Sequence, residues 1–79
     1  LIADDIHWVD SPPKSSFNCS AKIRYRQDSQ KCDVSLNDDQ TIRVDFNESQ
    51  RAINPGQSVV FYDGDICLGG SVIKSKSNE

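Results

Sequence analysis

Apolar and polar residues alternate along most of this chain. From Phe17 to Gln27, Phe17, Cys19, Ala21, Ile23 and Tyr25 share one parity; Asn18, Ser20, Lys22, Arg24 and Arg26 share the other. A period of two is that of a strand with one face in a core and one in water. Lys31 to Leu36 repeats it, with Cys32, Val34 and Leu36 inward and Asp33 and Ser35 outward. So does Thr41 to Phe46, with Ile42, Val44 and Phe46 inward and Arg43 and Asp45 outward. Ala3 to Val9 reads as a first strand, Ile6 and Trp8 on one face and His7 and Val9 on the other. Asp10-Ser11-Pro12-Pro13 stops it, because two prolines remove two ladder donors. Gln27-Asp28-Ser29-Gln30 and Asn37-Asp38-Asp39-Gln40 read as turns. The period is lost between Asn47 and Asn54, where Glu48 to Ala52 reads as a short helical turn or an irregular crossing.

The last two strands form a hairpin. Pro55-Gly56 marks a turn, since proline presets φ and glycine accepts the positive φ that follows. The β-branched and aromatic run from Ser58 to Tyr62 leads to Asp63-Gly64, a dipeptide suited to a type I′ loop, and a second apolar run returns. A two-residue loop at Asp63-Gly64 places Tyr62 opposite Asp65, Phe61 opposite Ile66, Val60 opposite Cys67 and Val59 opposite Leu68. Val59, Phe61, Ile66 and Leu68 then share one face, and Val60, Tyr62 and Cys67 the other. The second face is too apolar for open solvent, so it either completes a barrel or docks on another domain. Gly69-Gly70 allows the bend or bulge that a closing sheet needs.

Six short strands without a useful helical segment indicate an all-β antiparallel barrel or sandwich. Closure is favoured because it removes exposed edges, a liability in so small a domain. Seventy-nine residues make one domain, with its core over about 4–73 and a frayed polar tail over 74–79. The chain starts at Leu1 and contains no methionine, which reads as a fragment of a larger protein. It shows no apolar run of membrane-spanning length and no signal-type leader.

Net charge is −3, which by itself speaks against a polyanionic partner. Its distribution changes that reading. Between positions 14 and 31, Lys14, Lys22, Arg24, Arg26 and Lys31 oppose Asp28 alone, a local net of +4. On an extended strand, Lys22, Arg24 and Arg26 stand on one face at intervals of about 6.6–7 Å, near the phosphate spacing of a nucleic-acid strand. Such a row gives affinity for RNA without sequence readout. The competing reading makes these cations cross-strand partners of Asp33 and Asp45. Arg51 and Gln57 are secondary candidates.

Catalytic chemistry is poorly represented. His7 is the only histidine, and it and the three cysteines lack the close pairs of a structural zinc site. Cys19, Cys32 and Cys67 are odd in number and widely spaced, which fits reduced thiols. Cys19 and Cys32 share parity with apolar neighbours and read as small buried hydrophobes. Asp63 and Asp65 flank a hairpin tip, where turn chemistry accounts for them. Leu68-Gly69-Gly70-Ser71 lacks the helix and lysine of a phosphate-binding loop.

The run from Arg51 to Tyr62, followed by Cys67-Leu68-Gly69-Gly70, resembles the C-terminal domain of tRNA-specific 2-thiouridylases. The likeness extends upstream through Ile6-His7-Trp8, Lys22-Ile23-Arg24-Tyr25-Arg26 and Cys32-Asp33-Val34. The resemblance implies a six-stranded barrel similar to the second domain of translation elongation factors. It also implies a parent enzyme that activates C2 of the wobble uridine of tRNA with ATP and magnesium, then replaces its oxygen by persulfide sulfur; the reduced thiols fit a cytoplasmic location. The partners implied are tRNA, the upstream catalytic domains of the same chain and a sulfur-donor protein. That family's ATP-binding loop and cysteine pair lie upstream, so none of Cys19, Cys32 or Cys67 takes the sulfur-carrying role. The expectation is a non-catalytic barrel that positions tRNA through Lys22, Arg24 and Arg26, with Arg51 behind them. The alternative is a structural barrel that braces the catalytic domains without touching RNA. A translation-factor-like barrel binding a protein or guanine-nucleotide module fits the fold but not the Arg51–Gly70 run.

Overall fold

The computed structural model describes residues 1–10, 15–23, 29–48 and 53–75. They form six strands: β1 (Ile2–Trp8), β2 (Ser16–Lys22), β3 (Gln30–Leu36), β4 (Ile42–Phe46), β5 (Ser58–Asp63) and β6 (Ile66–Ser75). These close into an antiparallel barrel in the order β1-β4-β3-β2-β5-β6. No helix among the described residues is long and apolar enough to cross a membrane.

Alternation sets which side chains enter the barrel. Cys32 and Val34 of β3, Ile42 and Val44 of β4, and Val59 and Phe61 of β5 are all buried. They meet Ala3, Ala21 and Ile73 in one core. Phe61 stacks on Trp8 with ring centroids 6.0 Å apart, and Trp8 meets Phe17 edge-on at the same separation. Three strands that are not all neighbours are thereby joined through the interior.

β1 is inward at Ala3 and again at Trp8, two positions of opposite parity. An extra residue between Asp4 and His7 makes this possible: the register against β6 shifts there, and Asp5 takes a φ of 50°. A bulge of this kind turns the following side chains over and increases local twist. It lets Ile6 and Trp8 pack against the core while Ala3 does too.

The turns follow the sequence chemistry. Gly56 has a φ of 92°, and the Gln57 amide donates to the Asn54 carbonyl across Pro55-Gly56. Between β3 and β4, the Asn37 amide donates to the Thr41 carbonyl at 2.9 Å. The Asp39 carboxylate accepts from both the Thr41 amide and its hydroxyl, and these bonds hold the Asp39 pKa below its usual value.

The terminal hairpin departs from expectation. Asp63 pairs with Ile66 and Tyr62 with Cys67, so the loop is Gly64-Asp65 rather than Asp63-Gly64. Of the two loop residues only Gly64 has positive φ, at 60°, the pattern of a type II′ loop rather than I′. Leu68 is then the extra residue of a bulge, and Phe61 pairs with Gly69, Val60 with Gly70 and Val59 with Ser71. Ile66 therefore lies at the barrel's end and is 66% exposed, not in the core. Val60, Tyr62 and Cys67 lie on the outer surface rather than in the barrel interior, Cys67 exposed and the other two half-buried.

Gly69 is where the seam between β1 and β6 becomes tight. A Cβ there would strike the carbonyl oxygen of His7 and the backbone and ring of Trp8. The Gly69-Gly70 pair thus does serve a bulged, closing strand, and its first glycine admits the neighbouring backbone.

Candidate nucleic-acid interface

β2 ends at Lys22, with Ala21 buried in the core and Lys22 turned outward. Lys22 pairs with Val60 of β5, and its Nζ lies 5.7 Å from the centre of the Tyr62 ring. Such a contact is worth about 0.5–1 kcal/mol at an exposed site and fixes where the ammonium group sits. Arg24, Arg26 and Arg51 lie outside the described residues, as does all but Glu48 of the helical turn or irregular crossing expected over Glu48 to Ala52. Of the expected basic row, Lys22 alone is placed.

Two residues beside Lys22 were not among the expected site. Ser20 pairs with Lys31 on one side and Tyr62 on the other. All three point away from the core, since Cys32, Ala21 and Phe61 next to them are buried. Lys31 is exposed and Tyr62 half-buried. At the usual strand spacing Lys31 and Tyr62 stand about 10 Å apart, with Lys22 one pleat further along. The outer face of β3, β2 and β5 therefore presents two ammonium groups around a phenol. Parity sets Lys31 opposite to the inward Cys32, but places Tyr62 on a hairpin face read as too apolar for open solvent. Their adjacency depends on β2 pairing with β5, some forty residues away in the chain.

The carboxylates of the competing reading have the following contacts among the described residues. Asp33 accepts from Asn18 Nδ2 at 2.9 Å, and Asp45 accepts from Arg43 Nε at 2.9 Å. Among the described residues Lys22 joins no ion pair. Asp33 and Asp63 line a groove of about 360 Å³ beside this face, together with Cys19 and Cys32, and give it an acidic margin.

The other candidates have structural employment. Gln57 turns its side-chain oxygen onto the Asn54 amide at 2.9 Å and so closes the Pro55-Gly56 turn. His7 contacts Asp5 at 3.2 Å on the exposed side of β1, held by the bulge. Asp63 and Asp65 are exposed at the hairpin tip. Cys19 faces Cys32 across β2 and β3, and Cys67 is exposed on β6.

Fold and surface define a small closed antiparallel barrel domain carrying a lysine–tyrosine–lysine outer face. A family model described as the aminomethyltransferase beta-barrel domain matches residues 1–73, and the chain belongs to that family. It is 60% identical over 74 residues to the tRNA-specific 2-thiouridylase MnmA of Francisella philomiragia, covering 92% of this chain and 21% of that protein. It is 55% identical over 74 residues to MnmA of Ruthia magnifica, covering 94% and 20%. Over 77 residues it is 51% identical to MnmA of Aeromonas hydrophila, covering 96% and 21%. The chain thus spans about a fifth of the length of the curated relatives it matches.

Proposed function

We propose that this barrel is the tRNA-positioning domain of an enzyme that converts the wobble uridine of tRNA to 2-thiouridine. The observation that carries this reading is identity of 51–60% across nearly the whole chain with proteins named tRNA-specific 2-thiouridylase. The reaction itself, ATP-dependent activation of C2 followed by sulfur transfer from a donor protein in the cytoplasm, belongs to domains outside this barrel. The barrel holds the polyanionic substrate. Lys22 and Lys31 contact phosphate as point charges, the Tyr62 hydroxyl bonds a sugar or phosphate oxygen, and Arg24, Arg26 and Arg51 extend the cationic surface. Affinity of this kind is independent of sequence and leaves base selection to the catalytic domains.

A test is to replace Lys22, Arg24 and Arg26 together by alanine in the full-length enzyme. We expect tRNA affinity to fall tenfold or more at moderate salt, with unchanged folding. The slope of log K against log salt should shrink by about 0.7–0.9 for each phosphate that is no longer neutralised. Unchanged affinity with a lowered melting temperature would instead assign the barrel a bracing role. One feature favours bracing as an additional task. Val9 and Ile66 are 67% and 66% exposed, and the Val9 amide donates to the Leu68 carbonyl, so an apolar patch gathers along the β1–β6 seam.

A further inference from the structure

Cys19 and Cys32 are direct partners across the antiparallel β2–β3 pair, and their Sγ atoms lie 3.8 Å apart. Directly opposed residues in such a pair have Cα atoms about 4.5–5.5 Å apart, inside the range of about 4.4–6.8 Å that a disulfide spans. Both side chains leave the same face of the sheet. Bond formation therefore needs rotation of the thiols and no strand movement. Cys32 is 1% exposed, whereas Cys19 is half-buried and both line the groove that opens at the barrel's end beside Asp33 and Asp63. We propose that Cys19 and Cys32 form a peroxide-oxidisable dithiol, with Cys19 the attacking sulfur and a reversible cross-strand disulfide the product. This site is independent of the RNA-binding reading and of Cys67.

The asymmetry of the pair assigns the roles. With Cys32 as the donor, the bond between the two thiols lowers the Cys19 pKa against the opposing effects of burial and of Asp63 and Asp33. The Cys32 pKa is pushed up by that same bond and by its burial, and Cys32 is also the less exposed of the two sulfurs. The Cys19 thiolate attacks one oxygen of hydrogen peroxide, the O–O bond breaks and hydroxide leaves, taking a proton to become water. Cys32 then attacks the sulfur of the Cys19 sulfenic acid, the S–O bond breaks, and the departing hydroxide takes the Cys32 proton as a second water. Two thiols lose two electrons, and one peroxide gains them. A small-molecule dithiol reverses the reaction by exchange.

The experiment is peroxide treatment of the folded chain, followed by alkylation under denaturing conditions and tryptic mapping. Trypsin cuts at Lys22, Arg24, Arg26 and Lys31, so Cys19 and Cys32 fall on separate peptides unless a disulfide joins them. The expected result is one joined pair lighter by two hydrogens than the sum of its peptides, Cys67 outside the linkage, and three alkylatable thiols after dithiothreitol. In Cys32→Ala, Cys19 should stop at sulfenic acid and become labelled by dimedone, while Cys67→Ser should leave the linkage intact. Cys19 and Cys32 remaining alkylatable after Cys67 is consumed would overturn the proposal. So would Cys67-linked dimers as the sole disulfide, or over-oxidation of Cys19 without linkage. The wild-type arm decides the matter even if Cys32→Ala fails to fold.

Discussion

Gly69 carries a constraint that its side chain, a single hydrogen, makes easy to overlook. The β1 backbone crosses it so closely that a methyl group has nowhere to go: the obstacles are a carbonyl oxygen and a Cα, which cannot swing aside. Gly70, next along β6, has its nearest obstacle at 3.3 Å, the Val59 carbonyl oxygen. We expect Gly69→Ala to lower stability by about 2 kcal/mol or more, through displaced backbone at the seam, and Gly70→Ala to lower it less. Urea unfolding of the two variants checks the order; equal losses would show that the seam relaxes. Other single residues answer to local chemistry. Thr41 is buried yet satisfied: its hydroxyl donates to Asp39 at 2.6 Å and accepts from Asn37 at 2.9 Å. The Asx-rich composition of that turn signalled this arrangement, because such side chains bond their own backbone.

Strands and hairpins show how far period and turn chemistry reach. β3 and β4 begin and end within one residue of where alternation places them, since nothing interrupts their pleat. β1 and β6 contain bulges, and a bulge reverses the parity on which face assignments rest. The hairpin makes the point most sharply. Asp63-Gly64 suits a type I′ loop, but the pairing of Asp63 with Ile66 moves the loop one residue on and leaves Ile66 outside the core. We therefore expect Ile66→Ser to change stability by no more than about 0.5 kcal/mol, as at an ordinary surface position. Under the alternative register, with Ile66 packed opposite Phe61, the same change would cost about 2 kcal/mol or more. Thermal or urea unfolding of this one variant separates the two registers.

At the scale of the molecule, stability depends on a few large side chains that reach across the barrel. Phe61 is fully buried, stacks on Trp8 from β1 and belongs to a strand that pairs with neither β1 nor β4. Its removal opens a cavity touching most of the strands. Phe61→Ala should cost about 3–5 kcal/mol, a large share of the roughly 5–15 kcal/mol available to a small domain. We expect the melting temperature by circular dichroism to fall on the order of 20 °C; a fall under about 5 °C would mean that the interior refills. The outer surface works at the same scale, because a cationic face is assembled from β2, β3 and β5 together. Strands close in space but distant in sequence put Lys31 and Tyr62 beside Lys22, and no reading of one strand could do so.

Alternation of side chains, turn residues and the glycine pair were enough to specify six strands and an all-β class, because each depends on chemistry within a few neighbouring residues; closure into a barrel was favoured because it leaves no exposed edge. They were also enough to mark Lys22 as outward, Cys32 and Val34 as inward, and Val59 and Phe61 as sharing one face. Register at the bulges, the exposure of Ile66 and the facing of Cys19 by Cys32 were decided by the folded barrel. These depend on contacts between residues far apart in the chain, whose energies are summed only when the sheet closes on itself.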